Sequence, residues 1–399
     1  MKSFFIILVV FLQLTFAKSF YLSNIPLPDA QIINLNLQSC DHQCLQDLLE
    51  NGQVFSFLSN YKPDIADENL TNEYRMLKLT LNVKSATTFN QVSIALLFPK
   101  RVIGRYAIST TNSILAYLLN KKIDFKLELF DCQNETLPLI QDAVKSIEEK
   151  GYNFVIAPFT QTGVEKLSMV DSSLIFYIPT VNKNDIDTQK ANFIFGGIDY
   201  KKQIEELLPF TNDKIAIFAD QSSTGFKLSK FIEDSDKNIV YKKIIPQTQT
   251  RFKQILKGNY KLQNSSIFLN TPLVKTSLLA SQFRFYKIKP FALFSTQVNY
   301  NPLLLNLTQY EDRKNMYIAN SIEENDPYLV ATNRLLFNDI NFDWINYSTS
   351  IGIDYLYNLY FNQNSQRVFN EEIINNQVQY NVNIVKPTAS SFKELKILK

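Results

Sequence analysis

Histidine is almost missing from this chain: His42 is the only one in 399 residues. A Ser–His–Asp or Cys–His constellation, a two-histidine zinc helix and a histidine general base in the main body all need more, so inventory excludes them. Glycine is scarce as well, with 9 in the chain, and none forms a G-x-G-x-x-G turn or a G-K-[ST] loop. Cradles for dinucleotides or nucleotide phosphates are therefore not expected. No paired acidic constellation of the glycosidase kind stands out. Charge of either sign is not in excess: 41 basic against 38 acidic residues leave a net +3. A nucleic-acid surface needs a basic stripe, and none is present. The expectation is a non-enzymatic protein with no cofactor and no metal.

Cysteine is limited to Cys40, Cys44 and Cys132. In an oxidising compartment two of them can pair and leave one over. Cys40 and Cys44 can bond only if the local turn is not a regular helix, because regular i, i+4 spacing holds the sulfurs too far apart. Cys132 with either is the other option. Cys40-Asp-His42-Gln-Cys44 also sets three soft ligands within five residues. Its spacing matches no standard finger and no fourth ligand is evident, so a disulfide or a helix start is expected there.

What is present begins with a short basic start, Met1-Lys2-Ser3, and an apolar run from Phe4 to Leu12. That run is about half the roughly 20 residues a membrane span needs. Thr15-Phe16-Ala17 places small residues where a signal peptidase reads. Residues 1–17 are expected to be a cleaved secretory signal, and the mature chain a soluble, periplasmic protein. No cysteine follows Ala17 for a lipid anchor, and no later segment is apolar enough to be a transmembrane helix.

Residues 18–89 read as an N-terminal extension. Leu45, Leu48 and Leu49, then Phe55 and Leu58, recur at helical steps around Gly52, which predicts two short helices. From Gln91 the pattern becomes regular. Val92 to Phe98 is a nearly continuous apolar run, the signature of a strand buried on both faces. Helical spacing over 104–121, a strand at Phe125 to Phe130, a helix at 137–150, a strand at Phe154 to Ala157, a helix from Thr162 and a strand at Leu174 to Tyr177 follow. The alternation restarts with strands at Lys214 to Ala219, Ile239 to Ile244, Ser266 to Leu269 and Phe291 to Phe294, separated by helices. A strand at 315–320, a long helix at 344–362 and polar strands around Val378 to Val385 end the chain. The expected fold class is α/β, two doubly wound parallel-sheet lobes hinged around a cleft. The expected boundaries are 91–210 for lobe 1, 211–312 for lobe 2, and 313–399 for return segments that complete both.

Several loops carry a resemblance. Val92-Ser93-Ile94-Ala95-Leu96-Leu97-Phe98-Pro99 with Gly104-Arg105-Tyr106-Ala107, then Phe154-Val155-Ile156-Ala157-Pro158-Phe159-Thr160 and Ile178-Pro179-Thr180-Val181-Asn182, resemble strand ends of type I periplasmic binding domains. Phe291 to Thr296 and Gly352-Ile353-Asp354-Tyr355 are similar to segments of the penicillin-binding-protein activators, whose C-terminal domain has this fold. The resemblance covers about residues 91–390. It implies first an envelope interaction module that regulates peptidoglycan synthesis, its partner a cell-wall synthase; the alternative is a solute receptor for an amino acid or related anion, partnered by an ABC transporter or a sensor.

In open α/β lobes ligands sit beyond the carboxyl ends of the strands. Thr160, Gln161 and Thr162 lie where a helix opens after the third strand. Its free N–H groups and the threonine hydroxyls are expected to hold a carboxylate. Thr180 and Asn182 approach from the next strand end, and the resemblance puts these positions at the amino-acid site. Ser222, Ser223, Thr224 and Ser295 are the second lobe's candidates, with Asp220 or Asp199 as partner for an ammonium. Thr, Ser and Asn are also preferred helix caps, which is the competing role for each of them.

Overall fold

The computed structural model describes residues 40–62, 65–83, 92–188, 190–246, 251–362 and 365–395. The expected signal at 1–17 lies outside them. Among the described residues, no helix is long and apolar enough to cross a membrane. The chain divides into two compact units, residues 1–89 and 90–399.

Among the described residues of the first unit, three helices, α1 (His42–Glu50), α2 (Val54–Asn60) and α3 (Glu68–Thr80), enclose Leu45, Phe57, Leu58, Leu70 and Val83. Asp41 caps α1 by accepting from Cys44 N–H at 3.0 Å, and Asp67 accepts from Leu70 N–H at 2.8 Å. Cys40 and Cys44 form a disulfide across a Cα separation of 5.4 Å. Cys40 precedes the cap and so escapes the helical spacing that would hold the two sulfurs apart. Both sulfurs are thereby withdrawn from metal binding. The Tyr61 and Tyr74 rings stack at 3.8 Å.

The second unit holds two sheets with the same strand order. Lobe 1 begins with β1 (Val92–Phe98), α4 (Lys100–Ile103), α5 (Tyr106–Lys121), β2 (Phe125–Asp131) and α6 (Leu137–Glu149). It continues through β3 (Phe154–Ile156), α7 (Gln161–Leu167), β4 (Ile175–Ile178) and β5 (Phe193–Phe195). After α8 (Tyr200–Leu207), lobe 2 repeats the pattern with β6 (Ile215–Asp220), α9 (Ser223–Glu233), β7 (Ile239–Ile245), α10 (Phe252–Leu256) and β8 (Ser266–Asn270). Then come α11 (Leu273–Phe285), β9 (Ala292–Ser295), α12 (Leu303–Leu307), α13 (Tyr310–Arg313) and β10 (Met316–Asn320). The return segments are α14 (Pro327–Leu335), α15 (Trp344–Leu356), β11 (Ile373–Ile374), β12 (Gln377–Val378), β13 (Asn383–Pro387) and β14 (Phe392–Glu394).

The sheets run β2-β1-β3-β4-β5-β12-β11 and β7-β6-β8-β9-β10-β13-β14. Pairing within β1–β5 and within β6–β10 is parallel, and β11, β13 and β14 pair antiparallel at the far edges. The alternation of side chains along each strand explains the long apolar runs. In β6, Ala216 and Phe218 enter the core under α10 and α11, while Ile215 and Ile217 enter the core under α8 and α9. Both faces are covered, so β6 is apolar up to Asp220 at its carboxyl end.

Two placements differ from the expected boundaries. Helix α8, grouped by sequence with lobe 1, contributes Ile204 and Leu207 to a lobe 2 core. Strand β10, grouped with the return segments, is the fifth parallel strand of lobe 2. The chain passes between the lobes three times, at 196–199, 321–326 and 379–382. These passages are tied together by buried polar groups. Tyr380 Oη and Ser348 Oγ donate to Gly196 O at 2.5 and 2.8 Å, and Gln203 Nε2 donates to Ser321 Oγ at 2.7 Å.

Helix α15 is the core helix of lobe 1, with Tyr347, Ile351, Ile353 and Leu356 all buried. It is shorter than the expected 344–362; Tyr357–Phe361 forms a wider π turn. Asp354 is fully buried on it and accepts from Tyr117 Oη at 2.8 Å, Arg367 Nε at 3.1 Å and Val368 N–H at 3.0 Å.

Candidate ligand-binding site

The order 2-1-3-4-5 in each lobe puts a topological switch between the first and third strands, where open α/β sheets bind ligands. In this chain that point opens on a cleft of about 510 Å³ between the lobes. Lobe 1 lines it with Phe159, Thr160 and Gln161 after β3, Thr180, Val181 and Asn182 after β4, and Asp185 beyond. Val102, Ile103 and Tyr106 come from the β1 end, and Trp344 and Ile345 from the first turn of α15. Lobe 2 contributes Tyr200 on α8 and Ser223, Thr224 and Lys227 on α9. The volume suits a small organic solute, since ligand pockets commonly span about 300–1,000 Å³.

Of the nine residues singled out from sequence, Thr160, Gln161, Thr180, Asn182, Ser223 and Thr224 line this cleft. The other three do not. Thr162 points to solvent on α7. Ser222 is the α9 cap, accepting from Gly225 N–H at 3.0 Å. Ser295 is buried inside lobe 2 and donates to Leu269 O at 3.1 Å.

The expected carboxylate cradle at α7 is already filled by the chain itself. Glu135, buried in the β2–α6 loop, accepts both the backbone N–H of Thr160, at 2.7 Å, and its hydroxyl. Thr160 Oγ1 accepts from Gly163 N–H at 3.3 Å, the cap bond of α7. Gly163 is what allows this, since a Cβ there would overlap the Glu135 carboxylate. Lobe 2 repeats the device at α9. Asp220 accepts from Ser222 N–H at 3.2 Å and Ser222 Oγ at 2.5 Å, and a Cβ at Gly225 would overlap its carboxylate. Asp199 likewise caps α8 through Lys202 N–H at 3.0 Å. Both aspartates expected to hold an ammonium are thus engaged at helix starts.

Other wall residues are fixed from behind. Thr180 Oγ1 donates to Phe159 O at 2.5 Å. Asn182 Nδ2 donates to Gly197 O at 3.0 Å while its Oδ1 accepts from Asn184 N–H at 3.0 Å. Gln161 Nε2 donates to Asp185 O at 2.7 Å. Tyr200 packs edge-on to Trp344 with ring centroids 6.5 Å apart, and burial first, then Tyr106 and Asp185, holds its hydroxyl above the usual tyrosine range.

Asp185 and Lys227 pair directly across the cleft, Lys227 Nζ on Asp185 Oδ2, with 29% and 20% of the Lys227 and Asp185 side chains exposed. Sequence reading missed both. Each is a single charge among 79 acidic and basic residues (41 and 38), with no local motif to mark it.

Neither family models nor curated protein sequences match this chain. Solved structures do. The branched-chain amino acid transporter substrate-binding protein LivJ of Streptococcus pneumoniae, in complex with isoleucine, aligns with TM-score 0.52 at 10% identity, over 76% of this chain and 99% of that one. A leucine-binding protein LivK of Thermotoga maritima aligns at 0.55 and 12%, over 76% and 97%. A putative branched-chain amino acid ABC transporter protein of Rhodospirillum rubrum aligns at 0.58 and 8%, over 76% and 100%. On these likenesses, this chain has the two-lobed fold of the type I periplasmic binding proteins.

Proposed function

We propose that this chain is a non-catalytic, periplasmic receptor for a small solute, an amino acid or a related small anion, serving an ABC transporter or a sensor. The cleft between the lobes carries this reading. An interaction module of the activator kind calls for a filled or collapsed cleft, whereas this one keeps about 510 Å³ walled by side chains from both lobes. Its lining combines apolar groups with a few convergent polar ones, the usual composition of a small-molecule site. The solved neighbours named for branched-chain amino acids support the solute class.

The test is a thermal-shift screen of the purified chain against the common amino acids, short organic acids and cell-wall fragments. A solute present at about 100 times its Kd stabilises the folded state by about 2.7 kcal/mol, which moves the melting point by several degrees. A clear shift with one amino acid or small anion is the expected result. No shift with any solute, together with capture of a cell-wall synthase, would return the activator reading.

A further inference from the structure

The cleft's two walls offer opposite hydrogen-bonding characters. On lobe 1 the hydroxyl protons are directed inward: Thr160 Oγ1 donates to Glu135 and Thr180 Oγ1 donates to Phe159 O. What these groups present to the cleft is acceptor capacity, and Asp185 adds a carboxylate. Glu135, negative and buried directly behind Thr160, opposes a second anion at that place. Lobe 2 presents the Lys227 ammonium with Ser223 and Thr224 one turn before it on α9. The Asp220 carboxylate, bonded to the cap residue Ser222 and seated against Gly225, opposes an anion at the α9 N-terminus, so an anion on that side falls to Lys227.

We propose that Asp185 and Lys227 read a zwitterion, its ammonium held by Asp185 on lobe 1 and its carboxylate by Lys227 on lobe 2. The proposal rests on the receptor reading and narrows its ligand class. An α-amino acid carries both charges on one carbon. Inserted between the partners, it replaces a single ion pair by an alternating row of four charges, each next to its opposite. Lys227 withdraws along its flexible four-carbon stem to make room. The ligand side chain then lies toward Val102, Ile103, Tyr106, Trp344 and Ile345, which selects an apolar one. A purely anionic solute leaves Asp185 unpaired and facing it, and is excluded. The polarity is the reverse of what the α7 N-terminus suggested from sequence.

The experiment compares L-isoleucine and L-phenylalanine with their amides, which lack the carboxylate, and their N-acetyl forms, which lack the ammonium. Each is titrated calorimetrically into the parent protein and into Lys227→Gln and Asp185→Asn. Both side chains reach solvent, so the variants are expected to fold. In the parent, removal of either ligand charge is expected to weaken binding about tenfold or more. Lys227→Gln is expected to abolish the preference for acid over amide and keep the preference for free over acetylated amine; Asp185→Asn is expected to do the opposite. Unchanged affinity of the free amino acid in both variants overturns the charge-reading pair and leaves the receptor reading intact. Loss of both preferences together in either variant overturns the assigned polarity. Binding of no zwitterion to the parent, with a clear shift by a simple anion, overturns this proposal alone; no binding of any solute overturns both.

Discussion

The carboxylate of Glu135 receives two donors from Thr160, the backbone N–H and the hydroxyl, and lies where only a glycine at 163 leaves room. Removing it by Glu135→Ala leaves the Thr160 backbone N–H without its partner, whereas the hydroxyl of Thr160, an exposed residue, can turn to the cleft. A donor orphaned in this way costs about 1–3 kcal/mol. A loss of stability in that range is expected, measured as a lower urea midpoint with an unchanged slope. Gly163→Ala is expected to be damaging for the complementary reason, the methyl colliding with the carboxylate. A neutral result for either places the carboxylate elsewhere.

The Tyr177 ring packs on Gly352 of α15, and its hydroxyl is pinned by donation to Ser348 O at 2.7 Å. Alanine is the better helix former by about 1 kcal/mol. Here, however, the added Cβ would overlap the ring, which cannot slide away, and overpacking of this kind costs about 1–3 kcal/mol. Gly352→Ala is therefore expected to destabilise the protein by up to about 2 kcal/mol net. A variant as stable as the parent in denaturant would show the ring free to move.

Glu371 is buried beside α15, accepting the Tyr347 hydroxyl. Burial raises its carboxyl above the ordinary range; the tyrosine bond acts against this, and the nearby Glu323 adds to it. The folded state thus holds this proton more tightly than the unfolded one. Stability falls as pH rises from the unfolded carboxylate value, about 4.3, to the raised folded value, and is flat beyond. Glu371→Gln keeps an acceptor for Tyr347 and removes the titration. Its stability relative to the parent is expected to improve with pH across that window and level off above it. Denaturant midpoints from pH 4 to 8 check this; parallel curves would rule it out.

The three cysteines give a simple count. Cys40 and Cys44 are bonded, and Cys132 is buried in lobe 1 with its thiol pushed up to about 12, chiefly by burial. A thiol reagent is expected to find essentially none in the folded protein, one in denaturant and three in denaturant with reductant. Rapid labelling of the folded protein would mean that lobe 1 opens at Cys132.

Much of the α/β architecture could be read in advance because strands covered on both faces are apolar over most of their length, as in Ile94–Phe98 and Ile215–Ala219. Strand β5 escaped notice since Phe193-Ile194-Phe195 is too short to show a period, and α14 since its apolar residues follow no clear stripe. The strand ends that line the cleft were foreseeable from topology; their chemistry was not. Glu135 meets Thr160 across 25 positions of sequence, and Asp185 meets Lys227 across the lobes. Such pairings leave no local trace, and two of the candidate hydroxyls, Thr160 and Ser222, donate to the chain's own carboxylates.

The three passages between the lobes have a consequence for anyone cutting or fusing this chain. Lobe 1 is assembled from strands at 92–195, the helix at 344–356 and strands at 373–378, and lobe 2 from strands at 215–320 and 383–394. Neither lobe corresponds to a continuous piece of gene. A fragment ending at Asn320 keeps every central strand yet strips lobe 1 of its core helix. A nick in any one passage, by contrast, leaves the halves threaded through the other two. The molecule is divisible in shape but not in sequence, and its lobes can be moved only together, as parts of one interlaced chain.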